Sequence, residues 1–313
     1  MAVKRLLHLV KSQFRKSKLR HTAGRFDRPV ESILFDDPEG LFEDQSFDFS
    51  PFERWVLLQR VLSASAHPAL HFLHVPKTGG TTLTAALAAD RRFLVVSLDG
   101  RRDSFIQQLR KVFKDDQGKL VFIRAHHGLS LVRQSGVADQ VQFSFTTIRN
   151  PAAIHASNAN MIVRRIQCLT GKQVQSPEER EYAMRWLNTM QGRHDDDTQF
   201  AVDVLAMPEY LAEMGAVYSK MFDVPDWKEE VRSGRLLCFD LEQLDRLFAD
   251  GFGYDTPPVR KNVSTDGPLH AGQIPDGILD PLIETDLEIF RFLADSRSDP
   301  QLAAMKLRAL MEA

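Results

Sequence analysis

From about residue 70 the chain alternates short apolar runs with longer amphipathic stretches, the pattern of βα units around a parallel sheet. The apolar runs predict strands over 70–75, 93–98, 120–125, 143–148 and 235–240. Between the first two, the Leu- and Ala-rich stretch from Thr82 to Ala89 predicts a helix, and a second covers Asp103 to Phe113. Connections between such strands are right-handed by default. A long helical pattern separates strands four and five. Its start signal is Ser176-Pro177-Glu178-Glu179, which supplies an N-cap, a first-turn proline and a capping-box acid. Asp280-Pro281 opens another helix, with Leu282, Ile283, Leu287, Phe290 and Leu293 on one face. The stretch 251–277, rich in Gly, Pro, Asp and Asn, predicts a loop. No internal repeat or low-complexity tract interrupts the pattern. The expected architecture is α/β, a central parallel sheet flanked by helices. An N-terminal arm spans 1–50, one domain spans 51–300 with a helical insertion over about 158–230, and a helical tail spans 301–313.

Composition narrows this little. With 43% hydrophobic and 26% charged residues, 17 Gly and 15 Pro among 313, the chain is an ordinary globular one, which excludes fibrous, collagenous and disordered classes. No stretch approaches the roughly 18 apolar residues needed to span a bilayer. The run Leu6-Leu7-His8-Leu9-Val10 is too short for a signal-peptide core and lacks a small-residue cleavage site, so export by that route is not expected. Cys168 and Cys238 cannot build a disulfide or zinc framework, and both read as reduced thiols of a reducing compartment.

Charge is distributed unevenly. The net charge of −2 gives no bias toward nucleic acid. Residues 1–25, however, hold eight basic side chains (Lys4, Arg5, Lys11, Arg15, Lys16, Lys18, Arg20 and Arg25) and no acidic one. Residues 36–48 hold six acids and no base. With Leu6, Leu7, Val10 and Phe14 near helical spacing, the basic segment fits peripheral contact with an anionic membrane, while internal neutralisation by the acidic block is the plainer reading.

The segment with most chemistry is His71-Phe72-Leu73-His74-Val75-Pro76-Lys77-Thr78-Gly79-Gly80-Thr81-Thr82-Leu83, which reads as a strand, a glycine turn and a helix start. Backbone N–H groups at Gly79, Gly80 and Thr81 can point at an anion, the helix N-terminus adds positive potential, and the glycines let an anion approach closely. Lys77 adds a full charge. It precedes the glycines, whereas a nucleoside-triphosphatase P-loop places its lysine after them and a metal-binding hydroxyl next, which argues against ATP hydrolysis. Of the other histidines, His67, His71 and His74 are assigned to the strand and its approach. Arg193-His194-Asp195-Asp196-Asp197 reads as a solvated loop rather than a cation site, and no metal is expected.

These motifs resemble the PAPS-dependent sulfotransferases, in particular the branch of heparan sulfate 2-O-sulfotransferases and bacterial carbohydrate sulfotransferases. Pro76 to Thr82 match the loop that grips the 5′-phosphosulfate of 3′-phosphoadenosine 5′-phosphosulfate (PAPS) in that family. Thr147-Ile148-Arg149-Asn150-Pro151, with Ser157 eight residues after the arginine, matches its 3′-phosphate signature. Arg124-Ala125-His126-His127-Gly128 occupies the place of a Gly-His turn that carries the acceptor base. Weaker similarity extends to Leu236–Leu247, to Arg260-Lys261-Asn262-Val263-Ser264 and to Asp286. The chain departs from the family's pattern at Ala125, Asn150 and Ile154, none of which is a phosphate ligand.

The resemblance implies a P-loop-like sulfotransferase fold and transfer of a sulfuryl group from PAPS, leaving PAP. Lys77, Thr78, Gly79, Gly80, Thr81, Thr82, Arg149 and Ser157 are then the cofactor-binding residues, and Arg260 and Lys261 either close over the nucleotide or are ordinary surface bases. Lys77 and His126 are the expected catalytic pair, with His127 beside them leaving the base open between two imidazoles. A histidine suits this role because its ordinary pKa lies near 6.5. Arg164 and Arg165 are read as facing solvent rather than an anion. The implied acceptor is a hydroxyl compound, a sugar before others, and the implied setting a bacterial cytoplasm, with contact at the inner membrane face through residues 1–25. A P-loop-type kinase and a non-catalytic nucleotide-binding protein are the competing readings.

Overall fold

The computed structural model describes residues 29–35, 49–169, 177–190, 196–258 and 267–312. The basic stretch 1–25, the acidic block 36–48, Ser176 and the segment 259–266 with Arg260 and Lys261 lie outside the described residues. All five expected strands are present: Ala69–Leu73 (β1), Phe93–Ser97 (β2), Leu120–Ala125 (β3), Val141–Ile148 (β4) and Leu236–Asp240 (β5). They form one parallel sheet in the order β2-β3-β1-β4-β5. The chain leaves β1 toward β2 and β3 on one side and later continues to β4 and β5 on the other. The topological switch therefore lies between β1 and β4, where open α/β sheets place their ligands.

The helices follow local signals. After the short α1 (Val30–Phe35), α2 (Pro51–Ser65) opens on a capping box. Ser50 Oγ accepts from the Glu53 amide at 3.3 Å, and Glu53 Oε2 accepts from the Ser50 amide at 2.7 Å, which satisfies amides that the first turn leaves orphaned. Helices α3 (Gly80–Ala89) and α4 (Arg102–Lys114) begin within two residues of expectation. Helices α2 and α4 cover one face of the sheet, burying Trp55, Leu58, Phe105 and Leu109.

Beyond β3 come α5 (Leu129–Gln134) and, after β4, the long α6 (Pro151–Cys168), capped by Asn150, whose Oδ1 accepts from the Ala152 amide at 2.9 Å. Asn150-Pro151 is thus an N-cap followed by an N1 proline, a helix start inside a stretch that the sequence presents as a phosphate signature. The insertion continues through α7 (Pro177–Thr189), α8 (Asp197–Ala206), α9 (Pro208–Met214), α10 (Val217–Met221) and α11 (Trp227–Arg232). Helices α6 to α9 share a core of their own, with Ile162, Trp186, Phe200 and Tyr210 buried together, while α10 and α11 bury Tyr218 and Trp227 in the same cluster as Leu73, Ile148 and Leu236. After β5, a winding over 241–251 ends in a π turn, Leu247–Gly251. It packs with α3 and the terminal α13 (Pro300–Glu312) against Phe72, Phe122 and Phe145 on the second face, while α12 (Asp280–Asp295) buries Ile289 and Leu293 beside β5. Among the described residues no helix is long and apolar enough to cross a membrane.

Candidate functional site: the carboxyl edge of the sheet

The segment between β1 and α3 is held from below by hydroxyls. Thr78 Oγ1 donates to the Val75 carbonyl at 2.7 Å, and Thr147 Oγ1 donates to the Thr78 carbonyl at 2.7 Å, so β4 is fastened to the turn. Lys77 (φ 64°) and Gly79 (φ 87°) both adopt left-handed backbone, a conformation that concentrates amides on one side of a turn and is costly for lysine. Gly79 is the N-cap of α3 and supplies no side-chain cap. The first amides of α3 have no intrahelical acceptor, and the positive end of the helix points out of the carboxyl edge.

The glycines serve packing. A Cβ on Gly80 would lie 2.0 Å from His74 Nε2, and one on Gly79 would lie 2.7 Å from Leu241 Cδ1. At Gly80, therefore, the space that a ligand was expected to use belongs to the His74 ring.

Lys77 stands among guanidinium groups. Its ammonium is half-buried and is pulled down to about 8 by desolvation and by Arg165, Arg149 and Arg164. Arg149, at the end of β4, donates from Nη1 to the Lys77 carbonyl at 3.5 Å across the switch between β1 and β4. Its backbone is clamped by Tyr218, whose hydroxyl accepts from the Arg149 amide at 2.9 Å and donates to the Arg149 carbonyl at 2.7 Å. Tyr218 is fixed in turn by the buried Asp286, which accepts from the amides of Tyr218 at 3.0 Å and Ser219 at 2.9 Å and from Ser219 Oγ at 2.8 Å. Arg164 is exposed, as expected, yet both it and Arg165 act on Lys77. Arg165 also pairs with Glu179 at 3.6 Å and lies over the Tyr182 ring. Thr82 and Ser157 are buried and Thr81 is exposed. Asp196 caps α8 through the amides of Thr198 and Gln199, while Arg193, His194 and Asp195 lie outside the described residues.

The other half of the edge is a row set by strand register. Ser97 of β2, Arg124 of β3 and Phe72 of β1 are aligned, so two residues onward Asp99, His126 and His74 come side by side. The His126 amide donates to both oxygens of Asp99 at 3.1 Å. His126 Nδ1 lies 2.9 Å from the His74 carbonyl, which can only accept, so the proton sits on Nδ1 and the lone pair on Nε2. That lone pair faces Arg124 Nη2 at 3.1 Å, and Arg124 Nε donates to His74 Nδ1 at 2.9 Å. His127 points elsewhere: its Nδ1 accepts from the Trp55 indole N–H at 3.0 Å. Burial and the neighbouring cations lower all three imidazoles below their ordinary value, although Asp99 opposes the shift at His126 and His127. The three imidazoles are therefore neutral at pH 7. Sequence reasoning did not single out Arg124, Asp99 or Tyr218.

Comparison of the chain with family models, with curated proteins and with solved structures gives no match in any of the three. The fold and site define an α/β protein with a cationic cluster at the carboxyl edge of its sheet beside a row of neutral imidazoles.

Proposed function

We propose that this chain is a PAPS-dependent sulfotransferase of P-loop-like fold that moves a sulfuryl group to a hydroxyl acceptor, a carbohydrate before other classes. The observation that carries the reading is Lys77, half-buried beside a helix N-terminus that has no side-chain cap, with three arginines acting on it, one of which, Arg165, pairs with Glu179. Such a site is unfavourable without an anion and suits a ligand with several negative groups.

PAPS, when bound, supplies a sulfuryl group on a phosphate leaving group. Lys77 and the amides of Gly79, Gly80 and Thr81 would hold its 5′ end, with Thr78 and Thr82 shaping the turn. Arg149, whose planar fork suits phosphate, and Ser157 would hold the 3′-phosphate, with Arg260 and Lys261 over the nucleotide. Lys77 neutralises the charge that grows on the bridging oxygen, a task of positioning and electrostatics like that in phosphoryl transfer. The strand-end row containing His126 faces the same edge and supplies the proton acceptor. A cytoplasmic setting and peripheral membrane contact through residues 1–25 belong to the same proposal.

The test is thermal shift with PAP, AMP and ATP, each with and without magnesium. A ligand that binds only the folded state at a hundredfold excess over Kd stabilises it by about 2.7 kcal/mol, several degrees for a chain of this size. PAP should give that shift without magnesium, AMP little, and Arg149→Ala should abolish the preference. Stabilisation by magnesium-ATP that exceeds the PAP effect would instead identify a nucleotide-dependent kinase.

A further inference from the structure

Transfer to a hydroxyl needs a group with an open lone pair at the acceptor side, and the imidazoles of the edge do not offer one. The His126 lone pair on Nε2 is engaged by Arg124 Nη2, and that of His74 on Nδ1 by Arg124 Nε. The His127 lone pair on Nδ1 is engaged by Trp55 Nε1, which leaves Nε2 as N–H. One guanidinium and one indole thus occupy the basic nitrogen of each ring. Asp99 differs. Its carboxylate ends the same row, its side chain is 21% exposed, and among the described residues its hydrogen-bond donor is the His126 amide alone. That contact leaves lone pairs on both oxygens free. The two nearest imidazole nitrogens stand beyond hydrogen-bond reach, His127 Nε2 at 3.7 Å and His126 Nε2 at 3.9 Å.

We propose that Asp99, at the carboxyl end of β2, is the base that takes the acceptor's proton, and that His126 is a positioning residue held by Arg124. This rests on the sulfotransferase reading. In the step, the acceptor oxygen forms a bond to sulfur as the bond from sulfur to the bridging phosphate oxygen breaks. The bridging oxygen keeps the electron pair and leaves on PAP beside Lys77, while the hydroxyl proton passes to an Asp99 oxygen. The His126 amide holds that carboxylate in place, and His126 Nδ1–H ties the turn to the end of β1.

The test compares kcat, its pH profile and PAP binding in wild type, Asp99→Asn, Asp99→Glu and His126→Asn on one sugar acceptor. Asparagine at 99 still accepts from the His126 amide, and asparagine at 126 still donates to the His74 carbonyl, so each fold is preserved and is checked by its melting temperature and PAP shift. Asp99→Asn should lower kcat on the order of a hundredfold or more, the usual size of a lost general base, with the PAP shift intact. Asp99→Glu should recover part of the loss. The acid limb of the kcat profile should persist in His126→Asn and vanish in Asp99→Asn. If Asp99→Asn keeps its rate and acid limb while His126→Asn loses both, His126 is the base and the proposal is overturned, although the sulfotransferase reading stands. A wild-type chain that binds no PAP and transfers to no acceptor overturns both.

Discussion

The rings of His74 and His126 lie with centroids 4.0 Å apart and planes inclined at 30°, both accepting hydrogen bonds from the single guanidinium of Arg124. Neither ring can gain a proton without bringing a second positive charge against Arg124, so the two imidazoles are held neutral. The same holds deeper in the molecule, where burial lowers His71 to about 3 and His155 to about 4.

A consequence is stability that fails in acid. Each of these folded-state values lies below the unfolded value near 6.5, so the native state binds fewer protons, and the stabilisation present above pH 6.5 is lost as pH falls. For a histidine lowered to about 4, as His155 is, the loss by pH 5 is about 2 kcal/mol. His71 contributes similarly, and together they should lower the melting temperature on the order of 10 °C between pH 7.5 and pH 5. A melting series over that range checks this, and the double variant His71→Asn with His155→Asn should flatten it. An equally steep acid slope in the double variant would place the loss elsewhere.

The sheet was legible because each strand is a short apolar run closed by polar residues, and Phe93–Ser97 or Leu120–Ala125 could hardly be anything else. The strand, glycine turn and helix start over 69–89 were legible because their residues are consecutive. The remainder depends on register and distance. His74 reads as the end of a strand, and only the fold brings its ring against Gly80. Asp99 reads as one more acid in a turn until the pairing of β2 with β3 sets it beside His126. Tyr218 lies 69 residues from Arg149 in the chain, and only the fold buries it against Leu73 and Ile148 at the sheet. Arg164 and Arg165, about four turns into α6, look solvent-facing in the sequence because nothing local marks the passage of that helix near Lys77.

Tyr218 offers a test of that distant contact. Its hydroxyl serves both the amide and the carbonyl of Arg149, so Tyr218→Phe leaves two backbone groups unpaired at the end of β4 at a cost of about 1–3 kcal/mol. Because the loss falls on the residue assigned to the 3′-phosphate, PAP affinity should drop about tenfold while AMP, which lacks that group, should change little. Titration calorimetry with both nucleotides reads the difference. An equal fall for PAP and AMP would mean that Tyr218 supports the fold generally rather than Arg149 in particular.

Lys77 should show an opposition between stability and binding. Its folded-state value near 8 lies below the ordinary 10.5, so the charged form is disfavoured by the fold. That cost is full below about pH 8 and is relieved as pH rises from 8 to 10.5, where the unfolded chain binds the extra proton. Lys77→Met keeps the length of the side chain and removes the charge from among Arg149, Arg164 and Arg165. At pH 7 it should therefore raise the melting temperature of the free protein by roughly 2–4 °C for each kcal/mol relieved. Binding should move the other way, since a charge-assisted contact to an anion contributes about 1.5–3 kcal/mol, more than tenfold in affinity. In the wild type the affinity for PAP should hold steady up to about pH 8 and fall above it as Lys77 loses its proton. Calorimetry between pH 6.5 and 9.5, with melting curves of both proteins at pH 7, measures each limb. A Lys77→Met variant that is less stable yet binds PAP as tightly would mean that the ammonium is a structural contact and that the anion lies elsewhere on the edge.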